Sequence, residues 1–215
     1  MNSRLYFIFA VLLTSLVLVT SACDRSPRYA ALPAGSVVLA FGDSVTFGTG
    51  AAGGENYPSQ LASISGWEMV NHGVPGDTAE EANARIVEAL KDTQPKLVIV
   101  EIGGNDILRR HPEAQIKESI RSILKTVKQA GVPVILVATP HFSFVGAAIG
   151  ALPDAGLYAE LAEEEDVLLV PDVFAEVLSD PSLKSDQIHP NAAGYRKLAE
   201  GIAASLARSG LLAKP

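Results

Sequence analysis

The sequence contains one cysteine, no cluster of basic residues and no long linker, and each absence excludes a class of protein. The single cysteine, Cys23, cannot form an intramolecular disulfide. Seventeen basic residues stand against 24 acidic ones, a net charge of −7, and without clustered Lys and Arg we expect no nucleic-acid partner. No Pro/Ser/Gly-rich linker interrupts the chain after its start, so the 215 residues predict one globular domain.

Two kinds of ligand site are also missing from the sequence. The stretch 46–54 is glycine-rich and predicts a loop, but no Gly-Lys-Ser/Thr follows it, so it is not a phosphate-binding loop. The histidines and the cysteine do not form a metal-ligand pattern. The acidic run at 163–166 could hold a metal ion, but such a run is more typical of a solvated helix face. We therefore expect no metal.

The first residues have the pattern of an export signal. Arg4 precedes a run of about 16 mainly apolar residues, shorter than the roughly 20 that a membrane-spanning helix needs. Small residues then lead into Cys23, which is typical of a secretory signal and similar to a bacterial lipoprotein signal, whose cysteine becomes lipidated. We predict a signal peptide at 1–22, a lipidated tether segment at 23–35 and a folded domain at 36–215.

The expected location follows from this signal. We predict an exported lipoprotein, anchored in a membrane through Cys23, with its domain facing the periplasm or the cell exterior. Two alternatives stay open. Cleavage after Ala22 without lipidation would leave a soluble periplasmic protein, and an uncleaved signal would itself act as the anchor.

Apolar runs alternate with helical patterns along the rest of the chain. Five runs predict strands, at 37–41, 67–71, 96–102, 133–138 and 167–170. Strands that alternate with helices form a parallel sheet with helices on both faces. The predicted fold class is therefore α/β, a three-layer α/β/α arrangement around a five-stranded parallel sheet in the flavodoxin-like order 2-1-3-4-5.

The first apolar run leads directly into Gly42-Asp43-Ser44. This places Ser44 just beyond the carboxyl end of a central strand, where open α/β sheets hold their ligands. The alternative is that the three residues form only a turn, since all three types favour turns.

A serine nucleophile needs a base that is itself oriented by a third group. Of the four histidines, only His189 has a carboxylate at a useful local spacing, that of Asp186. In a turn, this carboxylate can accept from one imidazole nitrogen while the other nitrogen faces Ser44. Alternatively, Asp186 caps the turn and His189 is a surface residue.

An acyl-transfer reaction at Ser44 would also need donors for an oxyanion. The candidates are the backbone N–H groups of Ser44 and Gly76 and the side-chain amide of Asn105. They follow the first three strands, which are neighbours in the predicted sheet order. We therefore expect the three donors to converge at one edge of the sheet.

The connection at 139–156 is long and mostly apolar. Long ordered loops are often functional, and Phe142, Phe144 and Val145 are candidates for an acyl-binding pocket. The alternative is a loop that packs into the core.

Four sequence blocks carry a resemblance to a known family. They are Phe-Gly-Asp-Ser at 41–44, Asn-His-Gly-Val-Pro-Gly-Asp-Thr at 71–78, Gly-Gly-Asn-Asp at 103–106 and Asp-Gln-Ile-His-Pro at 186–190. In this order they resemble the SGNH hydrolases, also called GDSL-type esterases, and most of all the bacterial arylesterase, thioesterase and lysophospholipase branch. An α/β-hydrolase would instead carry its serine in Gly-x-Ser-x-Gly.

The resemblance implies roles for the candidate residues. Ser44, His189 and Asp186 would form the catalytic triad, and Ser44, Gly76 and Asn105 the oxyanion hole. The implied enzyme is a serine esterase that uses no cofactor. It would hydrolyse small carboxylic esters, or single-acyl-chain esters, thioesters or lysophospholipids, through an acyl-enzyme.

Two other functions remain as alternatives. One is a carbohydrate O-acetylesterase acting on cell-wall sugars. The apolar connection at 139–156 favours an acyl-chain substrate over this alternative. The other is a non-catalytic envelope lipoprotein, which the presence of all five catalytic residue types disfavours.

Overall fold

A parallel sheet forms the centre of the protein. The computed structural model describes residues 29–142, 146 and 150–213. The predicted signal peptide, Cys23, Phe144 and Val145 lie outside these residues. The strands are β1 (Val37–Gly42), β2 (Glu68–Gly73), β3 (Leu97–Glu101), β4 (Val134–Val137) and β5 (Leu168–Val170). Their order is β2-β1-β3-β4-β5 and all neighbours are parallel, so the predicted fold class and strand order are confirmed.

Helices cover both faces of this sheet. They are α1 (Ser44–Phe47), α2 (Tyr57–Ser65), α3 (Ala79–Thr93), α4 (Gly104–Leu108), α5 (Glu113–Gln129), α6 (Leu157–Glu164), α7 (Val173–Ser179) and α8 (Ala192–Ser209), with a 3₁₀ turn at Pro181–Leu183. One apolar cluster packs α2, α7 and α8 against one face, and a second packs α3, α5 and α6 against the other.

Strand β1 contributes to both clusters. Val38 and Ala40 belong to the first cluster, and Leu39 and Phe41 belong to the second. This two-sided burial explains why β1 is an unbroken apolar run rather than an alternating one. The same burial places the end of β1, and the residues that follow it, at the middle of the sheet.

A capping box fixes the start of α3. The sequence allows two capping pairs here, Asp77 with Glu80 and Thr78 with Glu81. The second pair forms: Thr78 Oγ1 accepts from the N–H of Glu81, and the Glu81 carboxylate accepts from the N–H of Thr78. The turn between β2 and α3 therefore ends at a defined residue.

The predicted loop at 46–54 is partly wrong. Thr46 and Phe47 belong to the single-turn helix α1, which Asp43 caps and Gly48 ends with a φ of +106°. A helix of one turn is too short to show a helical period in the sequence, so only its capping residues could have indicated it.

Residues 29–35 lie against the domain. The N–H of Tyr29 donates to the carbonyl of Ser209 at 3.2 Å, and the N–H of Leu32 donates to the carbonyl of Leu211 at 2.9 Å. This part of the proposed tether is thus held at the end of α8. Among the helices of the described residues, none is long and apolar enough to cross a membrane.

Candidate active site

Ser44 is the first residue of α1, directly after the carboxyl end of β1 and the capping residue. Asp43 Oδ1 accepts a hydrogen bond from the N–H of Val45 at 3.0 Å, which fixes the turn. Only glycine fits at position 42, directly before this turn, because a Cβ there would lie 2.0 Å from the carbonyl oxygen of Glu101. The close approach of β1 and β3 therefore fixes the position of Ser44.

A continuous hydrogen-bonded chain joins three of the predicted site residues. Ser44 Oγ lies 3.0 Å from His189 Nε2, and His189 Nδ1 lies 2.7 Å from Asp186 Oδ2. The histidine side chain is mostly buried, whereas half of the aspartate side chain is exposed. The three residues that the sequence analysis grouped together are therefore in contact.

The loop before α8 orients the histidine. Asp186 Oδ1 accepts from the backbone N–H groups of Ile188 and His189, each at 2.8 Å. Partial burial opposes ionisation of Asp186, but the hydrogen bonds from the His189 ring and the two N–H groups outweigh it and hold the pKa of Asp186 below its usual 3.8. The ionised carboxylate accepts from Nδ1–H, which leaves Nε2 as an acceptor for the Ser44 proton.

Asn105 connects the segments that follow three neighbouring strands. It lies in α4, after β3, and its Nδ2 donates to the carbonyl of Asp77 at 3.0 Å and to Asp43 Oδ2 at 3.2 Å. Asp43 follows β1, and Asp77 lies in the turn after β2. Asn105 therefore joins the residue just before Ser44 to the residue just after Gly76.

Two backbone N–H groups near Asn105 are unpaired. Within the described part of the chain, neither the Ser44 N–H nor the Gly76 N–H has a hydrogen-bond partner. Gly76 has a φ of +90°, which favours glycine, and its carbonyl accepts from Arg109 Nη2 at 3.0 Å. Gly76 directly precedes Asp77, whose carbonyl accepts a hydrogen bond from the Asn105 side chain.

Two carboxyl groups are buried beneath Ser44. Asp43 and Glu101 are 2% and 1% exposed, and neither forms a salt bridge with a described residue. Burial raises the pKa of Asp43 to about 6. Burial, and after it the charge of Asp43, raises the pKa of Glu101 well above its usual value. The Thr46 hydroxyl donates to Glu101 Oε2 at 3.2 Å.

These groups open onto a surface cleft. Its lining combines polar residues with apolar ones and a glycine: Asp43, Ser44, Glu101, Asn105, Thr139 and His189, and Val45, Gly104, Leu108, Phe142, Phe174 and Ile188. Phe142 is the member of the predicted acyl pocket that the described residues include.

Several residues of this cleft are not predicted from the sequence. Glu101 had a usable signal, because it is the one charged residue at the end of the apolar strand β3. Leu108, Phe174 and Ile188 come from separate segments, and no local pattern marks them. A tertiary contact of this kind is visible only once the fold is known.

The acidic run at 163–166 is an ion-paired surface. Glu164 accepts from Lys117 and Arg121, and Glu165 lies within salt-bridge distance of Lys125 and Lys128. Within residues 29–142, 146 and 150–213, no group of His, Cys, Asp and Glu could hold a metal ion.

A serine that is hydrogen-bonded to a histidine at the edge of a parallel α/β sheet is typical of a serine hydrolase. Comparison with known proteins identifies the family. The GDSL-like lipase/acylhydrolase family model matches residues 40–197, and the chain belongs to this family. It is therefore a GDSL-type serine ester hydrolase.

Characterised relatives and solved structures agree with this family. Over 176 residues, the chain is 33% identical to thioesterase 1/protease 1/lysophospholipase L1 of Escherichia coli K12, covering 80% of this chain and 84% of the relative. It is 26% identical over 194 residues to an arylesterase of Vibrio mimicus, covering 83% and 92%. The crystal structure of TesA superimposes with a TM-score of 0.70 at 27% identity, covering 79% and 97%. That of AlinE4, an SGNH-hydrolase family esterase, gives 0.64 at 31%, covering 83% and 98%.

Proposed function

We propose that Ser44 is the nucleophile, His189 the general base and Asp186 the group that orients the base. The observation that carries this proposal is the unbroken chain of contacts from Asp186 through His189 to Ser44, at 2.7 and 3.0 Å. Such a chain activates an otherwise unreactive hydroxyl, since the imidazole takes its proton as the oxygen attacks.

In the proposed reaction, Ser44 Oγ attacks the acyl carbonyl and its proton passes to His189 Nε2. The tetrahedral oxyanion accepts from the N–H groups of Ser44 and Gly76 and from the Asn105 amide. His189 then protonates the leaving group, and water hydrolyses the acyl-enzyme with the same base. Both Asn105 N–H bonds are occupied in the free protein, so one must be shared with the oxyanion or turned toward it.

The proposed substrates are small carboxylic esters and single acyl chains held as esters, thioesters or lysophospholipids. Two features support this. Four apolar residues, Leu108, Phe142, Phe174 and Ile188, line the cleft, and two relatives are a thioesterase/lysophospholipase and an arylesterase. Phe142 would contact the acyl group in this proposal. For Phe144 and Val145 the same role rests on the sequence alone.

We also propose export and membrane attachment. The sequence pattern at 1–22 supports a signal peptide, and the position of Cys23 directly after it supports lipidation. The domain would begin near residue 36, on a short tether whose part from Tyr29 onward contacts α8. The anchor would hold the cleft near acyl substrates in the membrane.

The catalytic proposal is tested with a fluorophosphonate probe and a panel of p-nitrophenyl, thioester and lysophospholipid substrates. Wild-type protein should be labelled and active, whereas Ser44→Ala should be folded, unlabelled and slower by about 10⁶-fold in kcat. Label on another residue, or full activity of folded Ser44→Ala, would reject Ser44 as nucleophile.

The attachment proposal needs a separate experiment. Wild type and Cys23→Ala are expressed in a bacterium with labelled fatty acid and then fractionated. Wild type should take up label and sediment with membranes, and Cys23→Ala should do neither. Wild-type protein without label, recovered as a soluble processed chain, would leave ordinary periplasmic export as the explanation.

A further inference from the structure

Arg85 binds three segments of the chain at once. This arginine lies on α3, with its side chain largely covered. Its Nε donates to Asp77 Oδ2 at 2.7 Å, its Nη1 to the carbonyl of His72 at 3.0 Å and its Nη2 to the carbonyl of Gly42 at 2.8 Å. The guanidinium carbon lies 4.2 Å from the centroid of the Phe41 ring. Each nitrogen of the planar fork therefore has its own acceptor.

The three acceptors surround the proposed oxyanion donors. Gly42 stands two residues before Ser44, and its carbonyl also accepts the N–H of Val74 at 3.0 Å. Asp77 directly follows Gly76. One guanidinium thus connects the backbone just before the first donor to the residue just after the second.

The third donor depends on the same residue. The carbonyl of Asp77 accepts from Asn105 Nδ2 at 3.0 Å, while its carboxylate accepts from Arg85. A shift of Asp77 would move both Gly76 and the Asn105 amide. Oxyanion stabilisation requires donors within about 2.7–3.1 Å of the oxyanion, so small shifts of this kind matter.

We infer that Arg85 is a positioning residue, which sets the mutual distances of the three oxyanion donors although it is not itself one of them. This inference rests on the proposed function of Ser44, Gly76 and Asn105. A lysine could keep the charge, but its single ammonium group cannot form the planar fork that reaches three separate acceptors. The charge alone would therefore not preserve the geometry.

A purely structural role is the alternative, and the chain offers a matched control. Arg121 is as covered as Arg85, with side chains 21% and 23% exposed. It also binds three partners, in this case the carboxylates of Glu118, Glu164 and Glu165. These partners lie on α5 and at the end of α6, none of them at the cleft. Loss of Arg121 removes a comparable set of bonds without touching a proposed donor.

The experiment compares Arg85→Met, Arg85→Lys and Arg121→Met in the full chain. For each variant, kcat and KM are measured on a short p-nitrophenyl ester, and thermal unfolding is followed in parallel. We expect Arg85→Met to lower kcat by about 10- to 100-fold with KM within about threefold, the pattern of misplaced transition-state contacts. Arg85→Lys should recover thermal stability more than kcat, and Arg121→Met should keep kcat within about twofold.

A double variant tests whether the effect passes through the donors. If Arg85 acts by positioning Asn105 and its neighbours, Arg85→Met should cost less in an Asn105→Ala background than in wild type, because part of what it positions is already gone. Losses that multiply in full would mean that the two residues act independently, and would overturn the inference.

Other outcomes also overturn it. These are an Arg85→Met kcat within about twofold of wild type, an effect confined to KM, or an equal loss of kcat in Arg121→Met. If Arg85→Met does not fold, Arg85→Lys decides, since full kcat in that variant means that charge suffices. Failure of the proposed function is recognised separately, because Ser44→Ala would then retain activity.

Discussion

The carboxyl groups buried beneath Ser44 and the exposed Glu164 on the outer face of α5 and α6 have pKa values that shift in opposite directions. Asp43, beneath Ser44, is 2% exposed and has no salt-bridge partner among the described residues, and burial raises its pKa to about 6. Glu164, on the outer face, is 45% exposed. Hydrogen bonds from Arg121 and then Lys117 lower its pKa. Groups of the same chemistry therefore shift in opposite directions, according to burial and partners.

The difference shows that the carboxyl groups at the cleft, and not those on the outer face, lower the stability of the fold. Exposed ion pairs such as those of the outer face contribute little to stability and are replaceable. A buried carboxyl without a cation opposes folding, and the hydrophobic clusters on both sides of the sheet must offset it. Such strain is typical of functional sites, where activity and stability conflict.

The strongest test of this comparison on the cleft side is Asp186→Asn. The amide keeps the size of the carboxylate but does not fix the imidazole with Nδ1 protonated, so Nε2 loses its role as acceptor. We expect a loss of kcat of about 10⁴-fold, the size seen when a triad aspartate is changed in this way. Steady-state kinetics with circular dichroism would check it, and a loss below about tenfold would mean that Asp186 does not orient the base.

Asn105→Ala is expected to have the next largest effect. It removes one proposed oxyanion donor and the bonds to Asp43 and Asp77. The kcat should fall by about 10²–10³, the usual loss for one such donor, with little change in KM. A change in KM with kcat intact would instead make Asn105 a substrate-binding residue.

Asp43→Asn should separate stability from activity. Because the folded-state pKa lies above the ordinary 3.8, the folded protein binds the Asp43 proton more tightly than the unfolded chain does. The stability from this proton is fully present below about pH 3.8 and is lost as pH rises to about 6, with an upper limit of about 3 kcal/mol. The asparagine side chain of the variant does not titrate, so the variant lacks this pH-dependent contribution to stability.

The melting temperature of Asp43→Asn, relative to wild type, should therefore increase between pH 4.5 and pH 7.5. Its kcat should fall, since an amide nitrogen would replace an acceptor of the Asn105 side chain. Melting curves at several pH values provide the measurement. A difference that does not change with pH would show that Asp43 is not a strained, buried carboxyl.

The fold and the contacts of His189 with Ser44 and Asp186 could be predicted from the sequence because their signals are local. Apolar runs indicated the strands, and the short spacing of Asp186 and His189 indicated that their side chains could form a hydrogen bond. The strand order then predicted that Ser44 and Asn105 would meet, since neighbouring strands end at one edge.

The remaining features depend on tertiary contacts that no local pattern encodes. Nothing near Arg85 in the sequence indicates that its guanidinium reaches Gly42, 43 positions away. The burial of Glu101 is likewise set by what packs around the end of β3. Short helices such as α4 show no helical period in the sequence because they span hardly more than one turn.

The smallest expected effect comes from the outer face, with Glu164→Gln. The ion pairs of Glu164 with Lys117 and Arg121 are partly exposed to solvent, where water and salt weaken them. Its lowered pKa means that its contribution to stability is present above the ordinary value of 4.5 and is lost as pH falls below it. We therefore expect the melting temperature at pH 7 to fall by about 2 °C or less, less still in high salt, with kcat unchanged. Melting curves at low and high salt, with kinetics on the same samples, measure both quantities. A clear loss of kcat in Glu164→Gln would show that the outer face is coupled to the cleft, and the contrast between the two regions would then be wrong.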